Sequence, residues 1–158
     1  MKTFIIFFLF VFFAQAQQKT FTEAALSDVF LSENNKEINL SEILQQYKGK
    51  TVFIDIWASW CKDCIVGIPK VQKLREANPE MVFLFLSLDK ETKSWKHGIE
   101  KYSVVGENYY IPSGWKGPFC SSIDLDWIPR YIVLNPEGEI SVYKAIETND
   151  ENLLKALK

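Results

Sequence analysis

The chain has 158 residues, of which 47% are hydrophobic and 24% are charged, and its formal net charge is −2. A slightly acidic chain without a basic block lacks the charge pattern of a nucleic-acid-binding protein, so we expect no nucleic-acid partner. The length suits one domain with a proper hydrophobic core, and no internal repeat or change of composition divides it.

The N-terminal residues predict an export signal. Lys2 precedes an apolar run from Phe4 to Ala14, and Ala14-Gln15-Ala16 has the small-x-small form of a signal-peptidase site. We therefore expect residues 1–16 to be a cleaved signal peptide and residues 17–158 to be the mature domain. The run is too short to span a bilayer, so no transmembrane segment is expected in the mature chain. An uncut N-terminal anchor is the alternative.

The next residues predict two short strands and a short helix. Ala25 to Leu31 and Glu37 to Leu40 flank an Asn-rich turn, which is typical of a β-hairpin at the edge of a fold. Ser41 is the expected N-cap of a helix that follows at Glu42 to Tyr47. The run Val52 to Trp57 then has the composition of a central strand covered on both faces.

Two cysteines three residues apart follow this strand, at the start of a helix predicted to run to about Ala77. The spacing places both sulfurs on one face of the first turn, where they can close a disulfide or open to a dithiol. The first sulfur is nearest the free amides and positive end of the helix, which stabilise a thiolate. Cys61 is therefore the candidate nucleophile and Cys64 the candidate resolving thiol. Lys62 favours the thiolate, whereas Asp63 opposes it.

A structural disulfide and half a zinc site are the alternatives for this pair. A bridge that closes so short a loop restricts the unfolded chain little, so stability is a weak reason for it. Zinc needs about four ligands, and the chain offers only one histidine and one further cysteine, Cys120. We expect no metal and no other cofactor. Cys120 is predicted to be a small buried hydrophobe, with a regulatory or intermolecular thiol as the alternative.

The second half of the chain alternates strand and helix patterns. Met81 to Leu88 predicts a second buried strand, parallel to the first, and Lys93 to Tyr102 predicts a helix with one apolar face. Residues 104–126 hold many aromatics and turn formers and allow no assignment. Tyr131 to Leu134 and Glu139 to Tyr143 predict an antiparallel pair of strands, and a final helix follows.

Two motifs in this order resemble the thioredoxin superfamily. The chain is similar to its exported TlpA/ResA-type thiol-disulfide oxidoreductases, whose pattern GKxVxxxxWAxWCxxC stands from Gly49 to Cys64. Their later signature, a cis-proline, a hydrophobic strand and an xPxGxI turn, stands from Ile128 to Ile140. The resemblance covers roughly residues 25–158 and is weak at 104–126. It implies an α/β fold: one thioredoxin-like domain, with a central mixed sheet flanked by helices and an N-terminal β-hairpin extension.

The resemblance also implies roles for further residues. Asp55 corresponds to the buried acid that takes the proton from the resolving cysteine, and a carboxyl on an inner strand should have a raised pKa. An ordinary buried, hydrogen-bonded acid is the alternative. Pro129 resembles the cis-proline that faces the disulfide, Ile128 would offer backbone groups to an extended substrate, and Trp60 would flank the nucleophile as an apolar platform.

The expected function is therefore that of an exported thiol-disulfide oxidoreductase, periplasmic or secreted. It would reduce disulfides in substrate proteins, be reduced in turn by an upstream redox partner, and work as a monomer. Lys62-Asp63 replaces the Gly-Pro common between such cysteines, so a thiol oxidase or a disulfide isomerase stays open. A redox-inactive binding module that uses the aromatics between Tyr109 and Phe119 is the alternative from another class.

Overall fold

The computed structural model describes residues 19–158, so the predicted signal peptide lies outside the described residues. Within this range one mixed sheet of seven strands has the order β2-β1-β5-β4-β3-β6-β7. The strands are β1 (Val29–Ser32), β2 (Glu37–Asn39), β3 (Val52–Trp57), β4 (Val82–Ser87), β5 (Glu107–Tyr110), β6 (Arg130–Leu134) and β7 (Ile140–Ala145). The helices are α1 (Glu23–Leu26), α2 (Leu40–Gln45), α3 (Lys62–Ala77), α4 (Thr92–Tyr102), α5 (Pro118–Ser122) and α6 (Glu151–Ala156).

This architecture confirms the predicted α/β thioredoxin-like fold with its N-terminal hairpin. Every residue of β3 and of β4 is buried, as expected for central strands rich in β-branched and aromatic residues. The two strands are parallel and α3 connects them, while β6 pairs with β3 antiparallel on the other side. No helix within residues 19–158 combines the length and the apolar composition that a membrane crossing requires.

The N-terminal elements differ from the prediction at two points. The prediction that the first strand begins at Ala25 is wrong, because Ala25 lies in α1 and the strand begins at Val29. The Ala25 N–H donates to the Thr22 hydroxyl at 3.2 Å. Helix α2 starts at Leu40, after Asn39, rather than after Ser41. The Glu42 carboxylate accepts from the Asn39 N–H at 2.9 Å, and this bond fixes the earlier start.

The unassigned residues 104–126 contain β5 and α5. Strand β5 pairs parallel with β4 and antiparallel with β1, so it joins the N-terminal hairpin to the central sheet. The side chain of Asp28, directly before β1, adds a second connection. Its carboxylate is buried and accepts from the Val29 N–H at 3.0 Å, the Ser113 hydroxyl at 2.8 Å and the Phe119 N–H at 3.0 Å.

Asp28→Asn should lower the free energy of unfolding by about 1–3 kcal/mol, because the amide places an N–H₂ donor against groups that themselves donate. Urea denaturation of the disulfide form measures the change. Glu33→Gln, in the exposed turn of the same hairpin, is the control and should stay within about 0.5 kcal/mol of the wild type. Equal effects of the two substitutions would contradict the role of Asp28.

Candidate active site

Cys61 and Cys64 form a disulfide at the start of α3, with their Cα atoms 5.3 Å apart. Cys61 is the N-cap residue of the helix, and its sulfur accepts a hydrogen bond from the Cys64 N–H at 3.1 Å. Both residues are buried, and Cys61 is slightly more exposed than Cys64, at 7% against 2%. The sequence predicted this placement, and the amides of the helix start are available to a thiolate at Cys61.

A second segment approaches the disulfide from the sheet. The Ile128–Pro129 peptide bond is cis, and the Ile128 carbonyl oxygen lies 3.6 Å from the Cys61 sulfur. Both residues are buried and directly precede β6. The structure therefore brings Cys61, Ile128 and Pro129 together, although more than sixty residues separate them in the sequence.

Cys61 lines an apolar cleft of about 260 Å³. Three tryptophans with substantial exposure contribute to its lining: Trp60 at 58%, Trp127 at 54% and Trp115 at 38%. Trp60 was predicted beside the nucleophile, and Trp115 belongs to the aromatic segment that was considered as a binding surface, whereas Trp127 was missed. The position of Trp127, two residues before the proline of the second motif, was a signal that could have identified it.

Asp55 lies in the middle of β3 and is 2% exposed. Burial raises the pKa of its carboxyl from 3.8 to about 8, which agrees with the direction expected for an acid on an inner strand. Its Oδ1 atom has no hydrogen-bond partner among the described residues. A carboxyl in this state is protonated through much of the neutral range and can exchange its proton near pH 8.

Sequence reasoning did not identify Asp89 as part of the site. Its buried carboxylate accepts from the Ser59 N–H at 3.0 Å, the Ser59 hydroxyl at 2.6 Å and the Ser87 hydroxyl at 2.9 Å. Gly98 of α4 packs so closely on this turn that a Cβ there would lie 2.6 Å from the Ser59 Cβ. These contacts hold the turn between β3 and Cys61 in place.

Arg130, directly after the cis-proline, stabilises the segment that lies opposite Cys61. Its side chain is fully buried and forms an ion pair with Asp126, which also binds Lys144 at 2.9 Å. The pair bridges the residues that include Trp127 and Ile128, so it restrains the segment facing Cys61. The Nε and Nη1 atoms of Arg130 have no partner among the described residues.

Cys120 is 1% exposed and unpaired, as the prediction of a small buried hydrophobe requires. Burial, with a smaller contribution from Asp28, raises the pKa of its thiol to about 12. The thiol is therefore protonated and inert at neutral pH. Residues 19–158 contain no group of three or more His, Cys, Asp or Glu side chains that could hold a metal ion.

Comparison with known proteins gives a consistent family relationship. The redoxin family model matches residues 16–157. An uncharacterised protein of Haemophilus influenzae is 34% identical over 106 residues, which are 65% of this chain and 63% of that protein. The thiol-disulfide oxidoreductase ResA of Bacillus subtilis is 25% identical over 131 residues, which are 79% of this chain and 68% of ResA.

Among solved structures, the chain is similar to a candidate thiol-disulfide oxidoreductase from Bacteroides vulgatus. The TM-score is 0.70 at 26% sequence identity, over 86% of this chain and 87% of that one.

The ionisation of Asp55 generates a prediction for stability against pH. A carboxyl whose pKa rises from 3.8 to about 8 on folding stabilises the folded state below about pH 4, and this contribution is lost as the pH rises through about 8. Asp55→Asn stays neutral, so its free energy of unfolding should exceed that of the wild type by about 2–4 kcal/mol near pH 7 and by little near pH 4.

Urea denaturation of the disulfide forms across this pH range measures the difference. Ser41→Ala, at an exposed position of α2, is the control; neither side chain ionises in this range, so it should keep the pH dependence of the wild type. A difference between Asp55→Asn and the wild type that does not change with pH would contradict a buried, titrating carboxyl.

The family match spans nearly the whole described chain, and the site geometry and the ResA relatives agree with it. The chain belongs to the redoxin family of the thioredoxin superfamily and is TlpA/ResA-like.

Proposed function

We propose that this protein is a thiol-disulfide oxidoreductase that reduces disulfides in polypeptide substrates. The observation that carries the proposal is the environment of the Cys61 sulfur. Cys61 caps the helix start, its sulfur accepts from the Cys64 amide and lies near the Ile128 carbonyl, and the residue lines an apolar cleft. These are the requirements of a nucleophilic thiolate that must meet a second sulfur.

The proposed reaction has two exchange steps. The Cys61 thiolate attacks one sulfur of the substrate disulfide, forms a mixed disulfide and releases the other substrate sulfur as a thiolate. Cys64 then gives its proton to Asp55 and attacks the Cys61 sulfur, which releases the second substrate thiolate. Two electrons pass to the substrate, and the Cys61–Cys64 disulfide remains. An upstream dithiol partner restores the reduced pair by the same exchange chemistry.

The cleft supports a polypeptide as the substrate. Trp60 offers an exposed apolar face beside Cys61, and Ile128, which precedes the cis-proline, places its backbone carbonyl beside the reactive sulfur. An extended segment around a substrate cysteine could contact both at once. Trp115 and Trp127 widen the apolar surface, since they line the same cleft. We propose that the protein acts as a monomer, because a substrate has to reach this cleft.

The charges beside Cys61 support the reducing direction. Strongly oxidising thiol carriers derive their potential from a much stabilised dithiol form. Lys62 and Asp63 occupy the first turn with opposite charges, so their effects on a Cys61 thiolate offset each other. The helix start alone then stabilises the thiolate, which is a moderate effect.

Export is part of the proposal. The pattern of residues 1–16 supports a signal peptide, and residues 17–158 would then form the mature domain in the periplasm or outside the cell. An upstream donor is needed there, because disulfides persist in such compartments unless a reductant is supplied.

Single cysteine variants test the two-step reaction. Cys61→Ser should abolish reduction of insulin disulfides, because no nucleophile remains. Cys64→Ser should accumulate a mixed disulfide with the substrate at Cys61, visible by mass spectrometry and removed by reductant. Cys120→Ser is the matched control and should keep its activity, since that thiol is buried away from the exchange. Reduction by Cys61→Ser at the wild-type rate would contradict the proposal.

The reduction potential of the Cys61–Cys64 pair tests the direction. Equilibration with glutathione or a dithiol buffer should give a value near about −270 mV, which is typical of reducing thioredoxins. A value near about −120 mV, typical of strong oxidants, would identify an oxidase instead.

A further inference from the structure

We propose that Trp60, Trp115 and Trp127 form a binding site for one large apolar side chain that neighbours the disulfide cysteine of the substrate. Three separately held segments bring these tryptophans to the one cleft that Cys61 also lines. This inference rests on the proposed function, in which Cys61 forms a mixed disulfide with a polypeptide. It adds the substrate class: disulfides flanked by an aromatic or a large aliphatic residue.

The exposed tryptophans of this protein are gathered in one place. The chain has five tryptophans, and all five lie in its described part. Trp57 and Trp95 are fully buried, whereas Trp60, Trp115 and Trp127 are exposed and line the same cleft. Single apolar residues scattered over a surface are ordinary, but a group of large aromatic side chains around one cleft marks a binding surface.

Trp115 lies in a turn that a buried carboxylate holds. The Ser113 hydroxyl donates to Asp28 at 2.8 Å, which ties the turn to the start of β1. The Gly117 N–H donates to the Gly114 carbonyl at 3.0 Å, so the chain closes around Trp115. A Cβ at Gly117 would lie only 2.1 Å from the Ser113 Oγ, so the turn packs tightly against itself. The position of Trp115 is therefore fixed without a bound ligand.

Buried charged groups also hold the segments that carry the other two tryptophans. Asp89 binds the residue directly before Trp60, and Arg130 pairs with the residue directly before Trp127. Together with Asp28, these are three of the four charged side chains that are buried in the described part of the chain. A site whose walls are fixed before binding loses little conformational entropy when it is filled.

The size and position of the cleft identify its occupant. Its volume of about 260 Å³ is below the roughly 300–1,000 Å³ of pockets that hold free small molecules, so it suits a single side chain. In the mixed disulfide the substrate cysteine is joined to Cys61, and the next residue of the substrate lies about 3.8 Å away, Cα to Cα. Lys62 and Asp63 line the cleft with opposite charges, so neither sign of charge is favoured. The occupant is therefore the apolar side chain beside the substrate cysteine.

Three uncharged peptides, each supplied as a disulfide-linked homodimer, test the substrate class. One carries Phe directly before its cysteine, one carries Phe directly after it, and one carries Ser at both positions. Quenched-flow experiments with the reduced protein give the rate of mixed-disulfide formation. Each rate is divided by that of the same peptide with glutathione, which removes differences in intrinsic reactivity. The wild type should prefer at least one Phe peptide over the Ser peptide by about tenfold or more, as burial of one large apolar side chain provides.

Substitutions in the cleft should reduce this preference. Trp115→Ala and Trp127→Ala should each lower it by about threefold or more, and the double variant should abolish it, because apolar contact area is lost. Trp115→Phe should keep most of it, since an aromatic face remains. Val105→Ala is the matched control: it shortens an exposed apolar side chain outside the cleft and should keep the full preference.

The outcomes separate this inference from the proposed function. Equal normalised rates of the three peptides with the wild type, or an undiminished preference in the double variant, would overturn the binding site and leave the proposed function standing. No reaction of the wild type with any of the three peptides would contradict the proposed function itself. The preference is a ratio measured within one protein, so a change in the overall activity of a variant does not alter it.

Discussion

The position of the Cys61 sulfur is the constraint on which the rest of the site depends. Cys61 caps α3, so the amides of the helix start face its sulfur. The same sulfur lies beside the carbonyl of Ile128, which is 67 residues away in the sequence. The first contact is local to the start of the helix, whereas the second follows from the antiparallel pairing of β3 with β6, which brings the end of β3 beside the start of β6. Asp89 fixes the turn before Cys61, and the Arg130–Asp126 ion pair restrains the segment opposite.

Strands β3 and β6 each carry a buried ionisable side chain, Asp55 and Arg130, and the two lie on opposite faces of the sheet. Asp55 shares a face with its partner Tyr131, while Arg130 lies on the other face, paired in register with Ile56. Buried polar atoms without partners reduce stability, so their presence in the central strands needs a reason. In the proposed reaction, Asp55 takes the proton of Cys64, which would supply one reason, and Arg130 restrains the loop that contains Ile128 and Pro129. Burial of Asp55 and Arg130 therefore lowers the stability of the core beside the proposed site of the reaction.

The sequence predicted those parts of the molecule that local patterns determine. Three patterns were sufficient for the fold and for the pairing of Cys61 with Cys64: the apolar runs of β3 and β4, the helix that begins at the cysteine pair, and the two family motifs. Strand β5 was not predictable, because four residues with an early asparagine give too short a pattern. Asp89 was missed, and Trp115 was not placed beside Cys61, for another reason: their positions at the site come from contacts with residues distant in sequence, which no local pattern encodes.

The most direct test of this account is the ionisation of each thiol in the reduced, folded protein. Rates of iodoacetamide alkylation against pH, followed separately for Cys61 and Cys64 by mass spectrometry, give both midpoints. The account predicts that Cys61 ionises well below about 8.5, the value of a free cysteine, and that Cys64 ionises above it. Two thiols that both ionise like free cysteine and react at equal rates would contradict it.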